Sequence, residues 1–425
     1  MILRRILMLA LLGLVAFVAA AEQLPQCAAT CQKDTLADKT TSCSTKDLQC
    51  LCDDKKFQDA VETCVTAGCS GREALTAKRV SSHQCGVPPH KGHPEVEGAT
   101  LVPLILAGIL FVVRIAAKIM GLGGGWGPDD YTIIVAEILG IVVFALNVAM
   151  IHYGFGQNVW DVTPMDNITV VYKYFFAFVI IYKAQISLAK ISVCLFLLRI
   201  FQSTAFRWTT YTIIGLNAAI AVTWMLTDSL RCLPVHLSWT AWQGEETGQC
   251  IDFMTVTFVN AFVNIAVDTA MVLMPVYEIS KLNLSARKKA GVSVMFAMGL
   301  VLTVVAILRV IVFWFNRWGS NQLVELQPIV HWSVIEVQIA VLCACLPTTR
   351  AMVVHLFPCL VNGSGANSTQ QPTAPSKMFG ASRQPGNISM TVSYSVDYNS
   401  KPHQADQNSF VRLVEMDPIR DDSYP

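Results

Sequence analysis

The sequence predicts an all-α membrane protein: a seven-transmembrane helical bundle with a small disulfide-stapled domain at its N-terminal end. Three observations predict it. Eight of the fourteen cysteines fall between Cys27 and Cys85. Seven apolar stretches then follow between about residues 96 and 357. The composition, 53% hydrophobic and 14% charged over 425 residues, is too apolar and charge-poor for an ordinary soluble chain. A net charge of +1 gives no electrostatic signal for nucleic acid.

Residues 1–21 read as a signal peptide. Arg4 and Arg5 supply the positive start, Ile6 to Val18 a short apolar centre, and Ala19, Ala20 and Ala21 the small residues before Glu22. An uncleaved anchor helix competes with this reading, but the cysteine-dense segment that follows belongs in an oxidising compartment.

Residues 22–95 form the extracellular domain. Its cysteines are Cys27, Cys31, Cys43, Cys50, Cys52, Cys64, Cys69 and Cys85. An even count in so short an exported segment points to four disulfides, with the pairing left open. So small a domain has little core, and the bridges supply much of its stability. A zinc site is the competing reading, without a histidine pair to support it.

The run Pro25-Gln26-Cys27-Ala28-x-x-Cys31, then Cys43-x3-Asp47-x2-Cys50-x-Cys52-Asp53-x3-Phe57, then Cys64-x4-Cys69 and Cys85, resembles the fungal CFEM domain over all eight cysteines. The resemblance implies a compact helical basket held by four disulfides. In haem-capturing members the aspartate between the third and fourth cysteines is the axial ligand to ferric haem, and that position is Asp47 here. A carboxylate is a hard oxygen donor suited to Fe(III). Leu48, Leu51, Phe57 and Val61 are the apolar residues available for a haem platform. The plainer reading is that Asp47 caps a helix starting at Leu48, in a module that is structural or binds a partner.

The apolar spans run at roughly 99–119, 131–152, 170–198, 209–228, 253–277, 290–314 and 329–355. Each is long enough to cross a hydrocarbon core of about 30 Å as a helix. With the N-terminus outside, Lys118, Arg199, Arg207, Lys281, Arg287, Lys288, Lys289 and Arg350 fall on the cytosolic side, and outer loops carry Arg231 and Arg317. That asymmetry predicts a multi-pass protein with an outside N-terminal domain and a cytosolic C-terminal tail, and the expected location is the plasma membrane. Cys232 and Cys250 bound one outer loop and are expected to bridge. Cys194, Cys343 and Cys345 lie within spans as packing residues, and Cys359 follows the last span.

Pro128-Asp129-Asp130-Tyr131 opens the second span, and His152-Tyr153-Gly154-Phe155-Gly156 closes it. Lys190-Ile191-Ser192-x3-Phe196-Leu197-x-Arg199 ends the third. Cys232-x-Pro234…Trp239, Cys250-x-Asp252, Asp268-x6-Pro275, Arg309, Glu336 and Leu346-Pro347 follow. Residues 96–357 thereby resemble the fungal rhodopsin-like domain of CFEM-containing receptors. One departure is that Gly154-Phe155-Gly156-Gln157 follows His152, where the family usually has a Gly-x-Gly-x-His run.

Ionisable groups inside spans cost roughly 2.5–3.5 kcal/mol each on insertion scales and are site candidates by default. They are Glu137, Lys183, Lys190, Asp228, Asp268, Arg309 and Glu336. Lys183 and Lys190 are seven residues apart and share one helix face. A network joining them to Asp268, Glu336 or Glu137 would neutralise the charges, either as structural pairing or as a ligand contact or activation switch. A retinal pump would need a lysine deep in the last span, and a transporter an internal repeat; the sequence has neither pattern. No Ser-His-Asp set, metal cluster or phosphate loop is legible, so the chain reads as a non-enzyme.

Residues 358–425 turn to Ser, Gln, Asn, Pro and Gly and read as a disordered cytosolic tail. The sequons at Asn283, Asn362, Asn367 and Asn387 fall on the cytosolic side. The expected function is a cell-surface receptor of a filamentous fungus. The resemblance implies that it senses host or surface cues through an unknown extracellular ligand and couples to a heterotrimeric G protein. The alternatives are a haem- or iron-capturing surface protein and a virulence effector that suppresses host defence.

Overall fold

The computed structural model describes residues 23–356, apart from 39–40, 42, 45–46, 123–124, 282–285 and 317–320. It gives the backbone alone at 279–281, 286–296, 298, 350–351 and 353–356. The leader, the tail, Arg317, Cys359 and the sequon asparagines lie outside the described residues. So do the side chains of Lys281, Arg287, Lys288, Lys289 and Arg350.

The N-terminal module contains α1 (Gln26–Ala37), α2 (Leu48–Asp53), α3 (Lys55–Gly68) and α4 (Gly71–Gln84). Their starts follow from short polar side chains that satisfy free helix N–H groups. Asp47 accepts from Cys50 N at 3.1 Å. Asp54 accepts from Lys56 N at 3.1 Å and Phe57 N at 3.3 Å. Ser70 and Glu73 form a reciprocal capping box. Cys27 and Cys31, one turn apart on α1, bridge to Cys69 and Cys64 and clamp α1 to α3. Cys52 joins α2 to Cys85 beyond α4, and Cys43 joins Cys50. The core is little more than Ala28, Val65 and Ala77 around these sulfurs. Each longer bridge removes about 4 kcal/mol of chain entropy from the unfolded state in the loop-closure model.

Seven long helices form the bundle: α5 (Gly98–Ile119), α6 (Pro128–His152), α7 (Asp166–Ile200), α8 (Thr204–Ser229), α9 (Phe253–Lys281), α10 (Ala286–Phe315) and α11 (Gln322–Leu356). Along the described residues six are long and apolar enough to cross a membrane, and the apolar part of α10, Gly299–Phe315, is shorter. α7 and α11 are the most buried and α5 the least. The core runs through Ile133, Val143, Met150, Ile168, Val171, Val330, Val334 and Val337. Ile105, Ile109 and Val112 of α5 and Leu216 and Val222 of α8 stay half or more exposed. Such apolar flanks suit a hydrocarbon solvent.

At the module's end of the bundle, residues 153–165 join α6 to α7 through a short 3-10 turn at Val159–Asp161. Residues 230–252 join α8 to α9. There β1 (Cys232–Leu233) pairs antiparallel with β2 (Gln249–Cys250), with Cys232 opposite Cys250. A disulfide joins those two cysteines.

Candidate functional site

The module grips both of these loops. Arg79, buried in the interface, donates to Trp160 O and to Val162 O, the latter at 3.3 Å. Arg72 pairs with Asp166 at 2.5 Å and lies 5.6 Å from the Trp242 ring centroid. Gly71 approaches the other loop so closely that a Cβ there would sit 2.7 Å from Gln243 O. The linker from α4 to α5 then crosses the end of α6. His90 Nδ1 lies 2.8 Å from Gly156 O. Gly92, at φ +63°, passes where a Cβ would be 2.9 Å from the Gly156 backbone. His93 stacks on His331 at 5.1 Å, with Glu97 3.2 and 3.4 Å from the two rings. His152 meets Glu95 at 2.8 Å.

Asp47 is exposed and uses Oδ1 to cap α2, leaving Oδ2 without a partner among the described residues. That oxygen is a suitable hard donor for ferric iron. The platform is less complete. Leu48 is 49% exposed, but Leu51 and Phe57 are buried at 5% and 2%. Phe57 and Val61 instead line a cavity of about 260 Å³ closed by Trp160, and Asp47 is not part of its wall. The residues present meet the ligand requirement of a haem site and not the apolar one.

A vestibule of about 430 Å³ opens between α7, α11 and the disulfide-closed loop. Tyr172, Phe175, Trp239, Trp242 and Phe253 give it aromatic walls, and Arg231, Ser238 and Asp252 supply polarity. Two hydrogen bonds hold the walls: Trp242 Nε1 donates to Thr169 Oγ1 at 3.0 Å, and Tyr172 Oη to Gln322 Oε1 at 3.0 Å. The Thr255 hydroxyl, and then its backbone N–H, hold the Asp252 carboxyl below its usual range.

Inside the bundle the nominated charges form separate pairs rather than one network. Lys183 pairs with Asp228. Lys190 meets Asp268 at 2.8 Å and donates to Asn264 Oδ1 at 3.0 Å. Glu336 is taken by Arg309 at 3.1 Å and by the Tyr182 hydroxyl at 2.6 Å, so it is not a partner of the lysines. Glu137 stands apart from all of them, 4% exposed with Oε2 unpartnered. The reason is its position: Glu137 is on α6 facing Gly108 of α5, whereas Lys183 and Lys190 turn towards α8 and α9.

The far end carries a tighter cluster. Arg114 is fully buried and donates to Asp129 Oδ2 at 2.7 Å, Asp130 Oδ1 at 2.8 Å and Ala344 O at 2.6 Å. Lys118 adds 3.0 Å to Asp130, and Arg199 adds 3.0 Å to Asp129. α5, α6, α7 and α11 are thereby tied at one point. Gly127 sits where a Cβ would lie 2.8 Å from Arg199 Nη1, so a larger residue there would displace the Arg199 side chain from the cluster.

Residues 113–355, more than half of the 425, match the family model described as the fungal rhodopsin domain. This chain belongs to the fungal rhodopsin domain family. Residues 20–86 match the CFEM domain. The chain is similar to an SAT4 family membrane protein of Emericella nidulans, 27% identical over 237 residues, 55% of this chain and 56% of that one. The receptor GIN3 of Arthrobotrys oligospora is 25% identical over 247 residues, 57% of each chain. Wortmanamides biosynthesis cluster protein C of Talaromyces wortmannii is 24% identical over 225 residues, 52% of this chain and 60% of that one. The chain thus spans less than two thirds of each of these relatives. No solved structure matches.

Sequence reasoning passed over two features of this fungal rhodopsin domain. Arg114 is a lone arginine in an apolar span, and its need for carboxylates pointed to Asp129 and Asp130, at the start of the next helix. Arg231 counted only as an outer-loop charge; its place in the vestibule depends on a loop fold that periodicity does not encode.

Proposed function

We propose that this CFEM-containing fungal membrane protein is a receptor. Its module and vestibule face the outside of the plasma membrane, and the Arg114 cluster faces the cytosol. The observation that carries this is the module's hold on both loops, through Arg79 on Trp160 O and Arg72 on Asp166 and Trp242, the last of which also walls the vestibule. A cue that shifts the module, or a ligand that fills the vestibule, moves the same 230–252 loop. Four disulfides in the module and one across the α8–α9 loop support an oxidising location for this end. The name of the relative GIN3 as a receptor supports the same reading.

In mechanism, a bound cue favours one of two helix arrangements, and the helix ends around Arg114 and Arg199 present a changed surface to a heterotrimeric G protein. No catalytic step is part of this reading. The test is a deletion strain of the source fungus, assayed for cyclic-AMP response to host or surface cues. A receptor gives a defect that the full chain restores and Arg79→Ala restores only in part. An unaltered response in the deletion strain contradicts it.

The Asp47 Oδ2, without a partner among the described residues, is the one observation on the side of a second reading, ferric-haem capture by the module, for which the apolar platform is not assembled. Saturable haem absorbance changes on the full chain, lost in Asp47→Ala, support capture. Their absence removes it.

A further inference from the structure

The floor of the vestibule holds an arrangement that the receptor reading does not use. A recess of about 10 Å³ opens beneath it and shares Tyr172, Phe175, Arg231 and Ser238 with it. Asp228 lines the recess, 5% exposed. Its Oδ2 is taken by Lys183, and its Oδ1 has no hydrogen-bond partner. Ser238 Oγ, buried in the same wall, has none either. Leaving buried polar atoms unmatched costs about 1–3 kcal/mol each, so such a pair marks where something polar binds.

Arg231 supplies the sign of that something. Among the described residues its guanidinium makes no ion pair and only rests 5.0 Å from the Phe253 centroid. Burial pulls its pKa below the ordinary value, against the pull of Asp228, Tyr172 and Asp252. A guanidinium nonetheless stays charged and offers a planar fork that matches a carboxylate. Lys183 and Asp228 form a neutral pair, and the Asp252 carboxylate in the same wall balances Arg231 in charge without pairing with it, so the Arg231 fork stays open to a carboxylate among the described residues. The walls above it are aromatic, and a cavity of about 430 Å³ falls in the size range of small-molecule sites.

We propose that the vestibule binds a small hydroxylated carboxylic acid with an aromatic or unsaturated body. Its carboxylate lies on Arg231, an adjacent hydroxyl bonds Ser238 Oγ and Asp228 Oδ1, and its flat body stacks between Tyr172, Trp242 and Phe253. The proposal rests on the receptor reading only in taking this end as the one a ligand reaches. A binding assay on the isolated protein tests it without any signalling.

The probes are 3-hydroxy-2-naphthoate, 2-naphthoate and methyl 3-hydroxy-2-naphthoate, titrated by fluorescence into the full chain in lipid nanodiscs, with empty discs subtracted. Both acids bind saturably, and the ester binds about ten- to a hundredfold more weakly, as expected for losing a charge-assisted hydrogen bond. Arg231→Gln removes the preference for acid over ester, and Ser238→Ala removes the preference for the hydroxylated over the plain acid. Arg231→Lys keeps the charge, guards against misfolding and retains part of the preference. Equal binding of acid and ester, or no saturable binding of either acid, overturns the proposal. An unchanged hydroxyl preference in Ser238→Ala overturns the placement of the hydroxyl and leaves water as the partner of that recess. Acid binding in a protein whose deletion leaves signalling intact would sink the receptor reading while leaving this one standing.

Discussion

The two ends of the bundle treat charge in opposite ways. At the far end, Arg114, Asp129 and Asp130 are fully buried and every one is paired, with Lys118 and Arg199 closing the set. At the module end, among the described residues, Arg231 has no ion pair, and Asp228 Oδ1 and Ser238 Oγ are buried without a hydrogen bond. A saturated cluster holds helices in one arrangement. Unsaturated groups around a cavity are a standing cost that a ligand removes. The contrast assigns holding to one end and binding to the other.

The largest expected effect breaks the far end. Arg114→Leu removes the fully buried partner that Asp129 and Asp130 share, leaving them only Arg199 and Lys118, and lowers stability by about 3–5 kcal/mol, read as a large drop in the thermal midpoint of the protein in nanodiscs. Arg231→Leu, which strands no partner, changes it little. Equal losses in the two variants would erase the difference between the ends.

Next are the pairs between the ends. Lys190→Met and Asp268→Leu each leave one buried charge, and each costs about 3–5 kcal/mol. The double variant recovers most of that loss, which a double-mutant cycle on thermal unfolding measures. Purely additive losses would mean that the two groups act separately.

A smaller effect follows from opening the vestibule's roof. Replacing Cys232 and Cys250 by serine removes a bridge across a separation of 18 residues, worth about 3 kcal/mol in the loop-closure model. Limited proteolysis should then cut near Gly244 to Gly248 while α5 to α7 stay intact. An unchanged cleavage pattern would mean the strand pair alone holds the loop.

The smallest effect is a pH dependence confined to the module. The Thr41 hydroxyl and then the Phe57 N–H hold the Asp54 carboxyl below its ordinary 3.8. The Ser70 N–H and then the Ser70 hydroxyl hold Glu73 below 4.5. Depressed carboxylates contribute stability above their unfolded values and lose it as pH falls through the folded ones. Acidification should therefore lower the amide protection factors in the first turns of α3 and α4 below about pH 4. Asp54→Asn and Glu73→Gln should flatten that response.

Much of the architecture was legible because membrane and disulfide constraints act locally. The apolar runs of the first two spans end within a few residues of α5 and α6, since a span must satisfy its own backbone bonds. The cysteine spacing marked the module, but that Cys27 and Cys31 share α1 and reach Cys69 and Cys64 came only with the fold. Partner choice was not legible. Lys183 and Lys190 share a face, but only the neighbours of α7 decide that one meets Asp228 and the other Asp268. Glu336 went to Arg309 for the same reason. Asp47 serves as the cap that its position before Leu48 allowed, and its second oxygen leaves the iron question to a titration.

The most direct test is hydrogen–deuterium exchange on the full chain in nanodiscs, comparing wild type with Arg79→Ala. If the module holds both loops, exchange rises in both 158–166 and 237–250, while 125–130 beside the Arg114 cluster stays unchanged. Unchanged exchange in both loops would contradict the account and make the module a tethered passenger.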